Sequence, residues 1–207
     1  MNELASTHLA APVFADVEAA ATRLKGEAVR SPLLEAPLLN EKLGGRLLVK
    51  PECLQRTGSF KYRGAFNRLS LIPEADRARG VLAYSSGNHA QGVAHAAARL
   101  GIKASIIMPE DAPAMKIQNT KDYGAEVILY DRYNESREEI GQRIAAETGA
   151  TLVRPYDDPG VIAGQGTIGL EIAEQAAEAG ATLDAVIVCC GGGGLVSGTA
   201  LAIHNAA

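Results

Sequence analysis

The sequence predicts an α/β protein built on a parallel sheet, and three features carry that expectation. After Gly80, short apolar runs alternate with helix-length amphipathic segments, the pattern of a sheet covered by helices on both faces. Two apolar runs pass directly into turns of small residues that open helices, Ser85-Ser86-Gly87-Asn88-His89 and Gly191-Gly192-Gly193-Gly194. The 207 residues are 47% hydrophobic and 21% charged, enough to bury a core in one large or two small domains.

Taken in order, residues 14–25 read as a first helix, with Val17, Ala20, Ala21 and Leu24 on one face and Gly26 as the stop. Arg30-Ser31-Pro32-Leu33 breaks it, residues 46–50 form a short β-like run, and a helix opening at Lys61 ends before Pro73. Residues 81–84, 104–108, 126–130 and 151–153 read as strands. The helices between them run to Leu100, to about Tyr123, and over about 134–147. Crossovers between such parallel strands are right-handed. Gly164 and Gly166 flank Gln165 ahead of a helix to about Ala179, and Asp184-Ala185-Val186-Ile187-Val188 reads as a buried strand. The last helix begins near Leu195 and is still running at Ala207, with no strand returning to the sheet, which reads as a fragment or a truncated gene product.

With 20 basic against 24 acidic side chains the net charge is −4, so no global charge draws the chain to nucleic acid or an anionic membrane, and a small partner is expected. Residues 1–12 lack a basic start followed by an apolar run, which argues against a secretory signal, and no stretch is long enough to span a bilayer. Cys53 and the neighbours Cys189 and Cys190 form neither a disulfide framework nor a zinc-ligand spacing, which points to a reducing cytoplasm.

The organising stretch is Thr57-Gly58-Ser59-Phe60-Lys61-Tyr62-Arg63-Gly64-Ala65, where a small polar loop hands over to a helix. Helical spacing from Lys61 gives Ala65, Leu69 and Ile72, whereas spacing from Arg63 gives Asn67, Ser70 and Glu74, so Lys61 is expected on the inward face and Arg63 on the polar one. An inward lysine at a helix N-terminus is disfavoured as an ammonium by desolvation and by the positive end of the dipole. It becomes an amine able to act as nucleophile or base. A lysine with its stem along apolar surface and its charge in water has the same local pattern.

The run Gly191 to Gly194 lets the backbone approach an anion that the free N–H groups of a helix start then hold, and a phosphate fits. A plain tight turn accounts for one or two glycines more readily than for four. A dinucleotide fold wants an acidic residue about twenty positions on for the ribose, yet no Asp or Glu follows Asp184, and the Gly-Lys-Ser/Thr ending of an ATP loop is absent. The turn of Ser85, Ser86, Gly87, Asn88 and His89 suits a carboxylate, although simple capping by Ser86 or Asn88 remains open. His89 lies in line with Val93, Ala96, Ala97 and Leu100 and reads as a core histidine before a catalytic one. An amine, a carboxylate seat and a phosphate seat together suit a cofactor with an aldehyde and a phosphate serving an amino-acid substrate, and pyridoxal phosphate is such a cofactor.

Ser59-Phe60-Lys61-Tyr62-Arg63-Gly64-Ala65, Ser85-Ser86-Gly87-Asn88-His89-Ala90-Gln91-Gly92 and Gly191-Gly192-Gly193-Gly194-Leu195 resemble the signature segments of the serine/threonine dehydratase family. These are the fold type II pyridoxal-phosphate enzymes, which include serine racemase. The resemblance holds in order and spacing from about Val13 onward. It implies two three-layer parallel-sheet domains: an incomplete large domain from residues 1–82 and 150–207, and a small domain from residues 83–149. It further implies that Lys61 carries pyridoxal 5'-phosphate, Phe60 packs beside it, Asn88 bonds its ring hydroxyl, and Gly191, Gly192, Gly193 and Gly194 hold its phosphate. Ser85, Ser86, Gly87, Asn88 and His89 would cradle the substrate carboxylate. In the racemase-like branch the position of Ser86 is a proton acid and base on the face opposite the lysine, whereas many biosynthetic threonine dehydratases have alanine there.

The implied activity is an ammonia-lyase turning L-threonine, L-serine or a related β-hydroxy amino acid into a 2-oxo acid and ammonia. Amino-acid racemisation and a catalytically silent fragment are the alternatives. A serine/lysine hydrolase does not fit, because Ser59 and Lys61 do not face each other on a helix. The chain departs from the family at Cys189-Cys190, where small residues or valine are usual, although a buried cysteine packs as a small apolar side chain. It also ends before the residue facing the pyridine nitrogen, the divalent-metal ligands of the racemase branch and the strands completing the large domain. The full-length form is expected to be a homo-oligomer.

Overall fold

A computed structural model describes residues 10–206; residues 1–9, on which much of the argument against a secretory signal rests, lie outside them, as does Ala207. The first helix, α1 (Phe14–Leu24), buries Val17, Ala20 and Leu24, and Gly26 ends it at φ +79°. Two short strands, β1 (Leu34–Glu35) and β2 (Leu48–Val49), pair antiparallel across α2 (Pro37–Leu43). Single 3-10 turns then lead into α3 (Lys61–Ser70) and the short α4 (Glu74–Arg77).

From β3 (Val81–Tyr84) the chain alternates as predicted. It continues through α5 (Asn88–Leu100), β4 (Ala104–Pro109), α6 (Ala114–Asp122), β5 (Glu126–Tyr130), α7 (Arg137–Thr148) and β6 (Thr151–Leu152). The four strands form one parallel sheet in the order β5-β4-β3-β6. Its two faces follow the period-two rule. Val81, Ala83, Ile106 and Met108 join the core with Val93 and Ala97 of α5, whereas Leu82 and Ile107 join Ile140 and Ile144 of α7. The chain steps outward from β3 to β5, and then α7 carries it back to β6 on the far side of β3. In open α/β sheets, ligands bind outside the carboxyl ends of the strands at such a reversal.

The remaining helices, α8 (Pro159–Glu178) and α9 (Gly194–Ala206), pack on each other, with α8 also against α1 and α3. Asp158 starts α8 by accepting the N–H groups of Gly160 and Val161, and it also receives Arg68 at 2.7 Å. Gly164 and Gly166, expected ahead of this helix, lie inside it. They are there for close approach: a Cβ at Gly164 would stand 2.7 Å from Gly64 Cα, and one at Gly166 would stand 2.9 Å from the Gly198 carbonyl.

Four other expectations need correcting. Residues 184–188 form no strand; no neighbouring chain segment pairs with them among the described residues, and Ile187 is 94% exposed. A strand needs ladder partners to be buried, so the run stays open. For the same reason Cys189 and Cys190 are exposed rather than packed. The Arg63 row is not the solvent face, because Arg63 and Asn67 are fully buried. Finally, α7 starts at Arg137 rather than near Asn134: Asp131 engages Tyr133 and Asn134 in a turn, and Ser136 caps the helix through Glu139 N–H.

Candidate active site

Lys61 opens α3 immediately after a turn in which Thr57 and Gly58 both take positive φ. Its amine is half-buried and donates to the Pro155 carbonyl at 2.7 Å, with Nζ 5.3 Å from the Phe60 ring centre. Burial lowers its pKa from the ordinary lysine value. The amine therefore turns inward, as the sequence predicts, but toward the loop after β6 rather than into the apolar core.

What holds that first turn is Arg63. Its guanidinium makes paired bonds to Glu52 (2.8 and 2.8 Å) and to Glu171 (2.6 and 2.9 Å), and adds the Val29 carbonyl at 3.1 Å. Burial opposes the charge, yet the hydrogen bonds it donates to both carboxylates win and raise its pKa. Glu171 also takes Lys50 at 2.5 Å, so the 3-10 turn at Glu52, the end of β2, α3 and α8 meet in one buried ionic cluster. Bidentate geometry of this kind gives orientation as well as energy.

Lys61, Phe60 and the glycines Gly191, Gly192, Gly193 and Gly194 line one cavity of about 160 Å³. Gly193 sits at φ +91°, and open space lies where a Cβ of Gly191 or Gly193 would stand. Gly192 has no such room, because the Tyr156 ring lies against it, and a Cβ at Gly194 would meet the Tyr156 carbonyl at 2.6 Å. No acidic side chain lines the cavity among the described residues. An amine of lowered pKa beside glycine N–H groups at a helix start is chemically an anion seat with a nucleophile at its edge.

The serine turn is supported differently. It leaves β3 toward α5, and Ser85 Oγ accepts the Gly87 N–H at 3.2 Å. Capping by Ser86 or Asn88 does not occur; Gly87 holds the cap position without a side-chain bond. The Ser86 and Asn88 side chains are exposed and form no hydrogen bond among the described residues. His89 is the core histidine expected, 3% exposed, with Nε2 at 3.1 Å from the Val153 carbonyl and Nδ1 without a partner. Burial drives its pKa down to about 4. Ser85 and Ser86 border a second cavity, of about 220 Å³, with Tyr130, Arg132 and Arg137. The serine turn and Lys61 line two different cavities, and α5 touches α3 where a Cβ on Gly92 would meet the Lys61 carbonyl carbon at 3.2 Å.

Several contributors escape sequence reasoning. Pro155 and Val153 act through backbone carbonyls, which leave no side-chain signature. Together with Tyr156 they make the exit from β6 a common strut for the amine, His89 and the glycine turn. Lys116 lies over the serine turn, its Nζ 2.9 Å from a Cβ built on Gly87. Gln165 did have a signal, a large polar residue between two glycines. Among the described residues no helix is long and apolar enough to cross a membrane, and no group of three or more His, Cys, Asp or Glu is gathered for a metal.

Comparison with known proteins fits this arrangement. The family profile described as "Pyridoxal-phosphate dependent enzyme" matches residues 24–207. The L-threo-3-hydroxyaspartate ammonia-lyase of Saccharomyces cerevisiae is 48% identical over 194 residues, which is 94% of this chain and 58% of that protein. The serine racemase of Schizosaccharomyces pombe is 46% identical over 200 residues, 97% of this chain and 61% of that protein. Among solved structures, that of maize serine racemase superposes with a TM-score of 0.89 at 40% identity, over 94% of this chain and 58% of that one. The chain thus spans about 58% to 61% of the length of these relatives.

Proposed function

Because this chain belongs to the pyridoxal-phosphate dependent enzyme family, we propose that the cavity between Lys61 and Gly191 to Gly194 is the seat of pyridoxal 5'-phosphate. We further propose that the activity is a lyase reaction on a β-hydroxy amino acid such as L-threonine, L-serine or 3-hydroxyaspartate, giving a 2-oxo acid and ammonia. The observation that carries this reading is that a half-buried amine and the glycine turn line one space. The residues fit the group. Burial lowers the Lys61 pKa, the glycines leave a cradle without Cβ atoms at Gly191 and Gly193, and Gln165 keeps a buried donor unpaired among the described residues.

When bound, the cofactor supplies an aldehyde that condenses with amines and a conjugated ring that stabilises negative charge at the substrate Cα. Phe60 would pack beside it and Asn88, its amide exposed, would bond the ring hydroxyl. The N–H groups and hydroxyls of Ser85, Ser86, Gly87, Asn88 and His89 bind the substrate carboxylate at the start of α5. Lys61 Nζ takes the α-proton, a role that needs the neutral amine and so benefits from its lowered pKa. Loss of water across Cα and Cβ, followed by hydrolysis of the C–N bond, would give the 2-oxo acid and ammonia with no net consumption of water.

In this reading residues 83–149 are the small domain, residues 1–82 and 150–207 contribute to the large one, and three free thiols suit a reducing cytoplasm. Racemisation is the second reading, favoured by the Ser86 hydroxyl, which is exposed and without a hydrogen-bond partner among the described residues. Chiral product analysis separates the two: a racemase loses D-amino-acid formation in Ser86→Ala while elimination persists.

The deciding experiment adds pyridoxal 5'-phosphate to the 207-residue chain, follows the absorbance of the lysine-bound cofactor, and locates it by borohydride reduction. Attachment should map to Lys61, gain rate as pH rises, with a midpoint below the ordinary lysine value of 10.5, and vanish in Lys61→Ala. Release of 2-oxo acid by Lys61→Ala at the unmodified rate would falsify the proposal. A wild-type chain without any attachment would overturn the cofactor reading of this chain and support the silent fragment.

A further inference from the structure

Gln165 lies within α8 with 1% of its surface exposed, yet it reaches the wall of the cavity shared by Lys61 and the glycine turn. The two ends of its amide differ. Oε1 accepts the Gly64 N–H at 3.3 Å, in the first turn of the helix that carries Lys61. Nε2 has no partner. The reversed amide is disfavoured, because it would set an NH₂ group against the Gly64 N–H. A buried donor left unmade costs more than an ordinary hydrogen bond contributes, so an acceptor is expected to arrive from elsewhere.

The cavity indicates what kind of acceptor. It offers an amine and the N–H groups of a glycine run at the start of α9, and no carboxylate lines it. Resting on the reading of this cavity as a pyridoxal 5'-phosphate site, we infer that Gln165 is a further cofactor-binding residue whose Nε2 donates a hydrogen bond to a phosphate oxygen. Its other end stays on Gly64, so one side chain ties the phosphate to the helix that positions Lys61. Neither glycine turn nor lysine supplies that link.

The test compares affinities of the 207-residue chain for pyridoxal 5'-phosphate and for pyridoxal, which has the aldehyde but no phosphate, by absorbance titration. Gln165→Glu keeps an acceptor for Gly64 and replaces the donor by a negative charge. It should weaken the phosphate form about tenfold to a hundredfold, as expected for a charge-assisted bond, and leave pyridoxal within about twofold. Gln165→Leu should show the same selectivity. In the unsubstituted chain, the Gln165 side-chain amide protons should shift and become protected from exchange with pyridoxal 5'-phosphate but not with pyridoxal.

Equal losses for both ligands, no loss, or an amide signal indifferent to the phosphate overturns the inference while leaving the cofactor reading intact. The amide signal decides if both variants fail to fold. If the unsubstituted chain binds neither ligand, or binds both equally, the cofactor reading falls and this inference with it.

Discussion

The molecule contains two strand-to-helix turns of small residues, and they are built on opposite supports. The serine turn grows from β3, which is hydrogen-bonded to β4 on one side and β6 on the other, and His89 pins it through the Val153 carbonyl. The glycine turn follows residues 184–188, which have no ladder partner among the described residues, so its support comes from the helix beyond it. There α9 lies on α8 so closely that a Cβ on Gly198 would stand 2.7 Å from Gly166 N, and Tyr156 closes over Gly192 and Gly194. An anion turn needs one rigid flank, and either the strand or the helix can provide it. Both turns also lean on the exit from β6, residues 153–156, to which the Lys61 amine is bonded as well.

That difference makes the serine turn sensitive to acid. His89 is neutral in the fold, with a pKa near 4 against an ordinary value of 6.5, so the unfolded chain binds the extra proton first. Its contribution is complete above about pH 6.5 and lost as the pH falls toward 4. A depression of this size amounts to about 3 kcal/mol across that window. Thermal unfolding followed from pH 7 to pH 4 should show that slope in the native sequence and a much flatter one in His89→Gln. An unchanged slope would show that the serine turn does not depend on the imidazole.

The glycine turn should break by crowding instead. Gly192→Ala drives a methyl group into the Tyr156 ring and should cost about 1–3 kcal/mol locally, read as a roughly tenfold or greater loss of pyridoxal 5'-phosphate affinity. Gly191→Ala, where a Cβ meets no protein atom within 4 Å, should leave thermal stability within about 0.5 kcal/mol, so equal losses of stability at the two positions would contradict the role given to Tyr156.

The smallest effect is expected at Gly87→Ala. Its φ of −168° lies outside the left-handed range, and the new methyl meets only the flexible end of Lys116, at 2.9 Å. A stability change below about 0.5 kcal/mol should appear in thermal melts. A loss as large as that of Gly192→Ala would mean that both turns are equally crowded.

Much of this was legible beforehand because it is local. Strands of period two, helices ended by Gly26 or started after a turn, and three motifs in register depend only on neighbours along the chain. The strand expected at residues 184–188 was legible as a pattern, but a pattern cannot supply a ladder, and the exposed Ile187 records that. The polar spacing of Arg63 and Asn67 misled for a related reason. Spacing reports which residues share a face, not whether Glu52 and Glu171 will bury that face from other elements.

By itself, then, the sequence determined the alternation of strands and helices, the amine at Lys61 and the two turns of small residues, since each is written in residue type and short-range spacing. Only the tertiary structure decided that Lys61 lines a cavity with the glycine turn while Ser86 lines another. It alone also showed that backbone carbonyls of Val153 and Pro155 support the site, and that Gln165 brings an unpaired donor to it. Those facts depend on helices crossing at glycine contacts and on a sheet that reverses between β3 and β6, and distances of that kind arise between segments far apart in the chain.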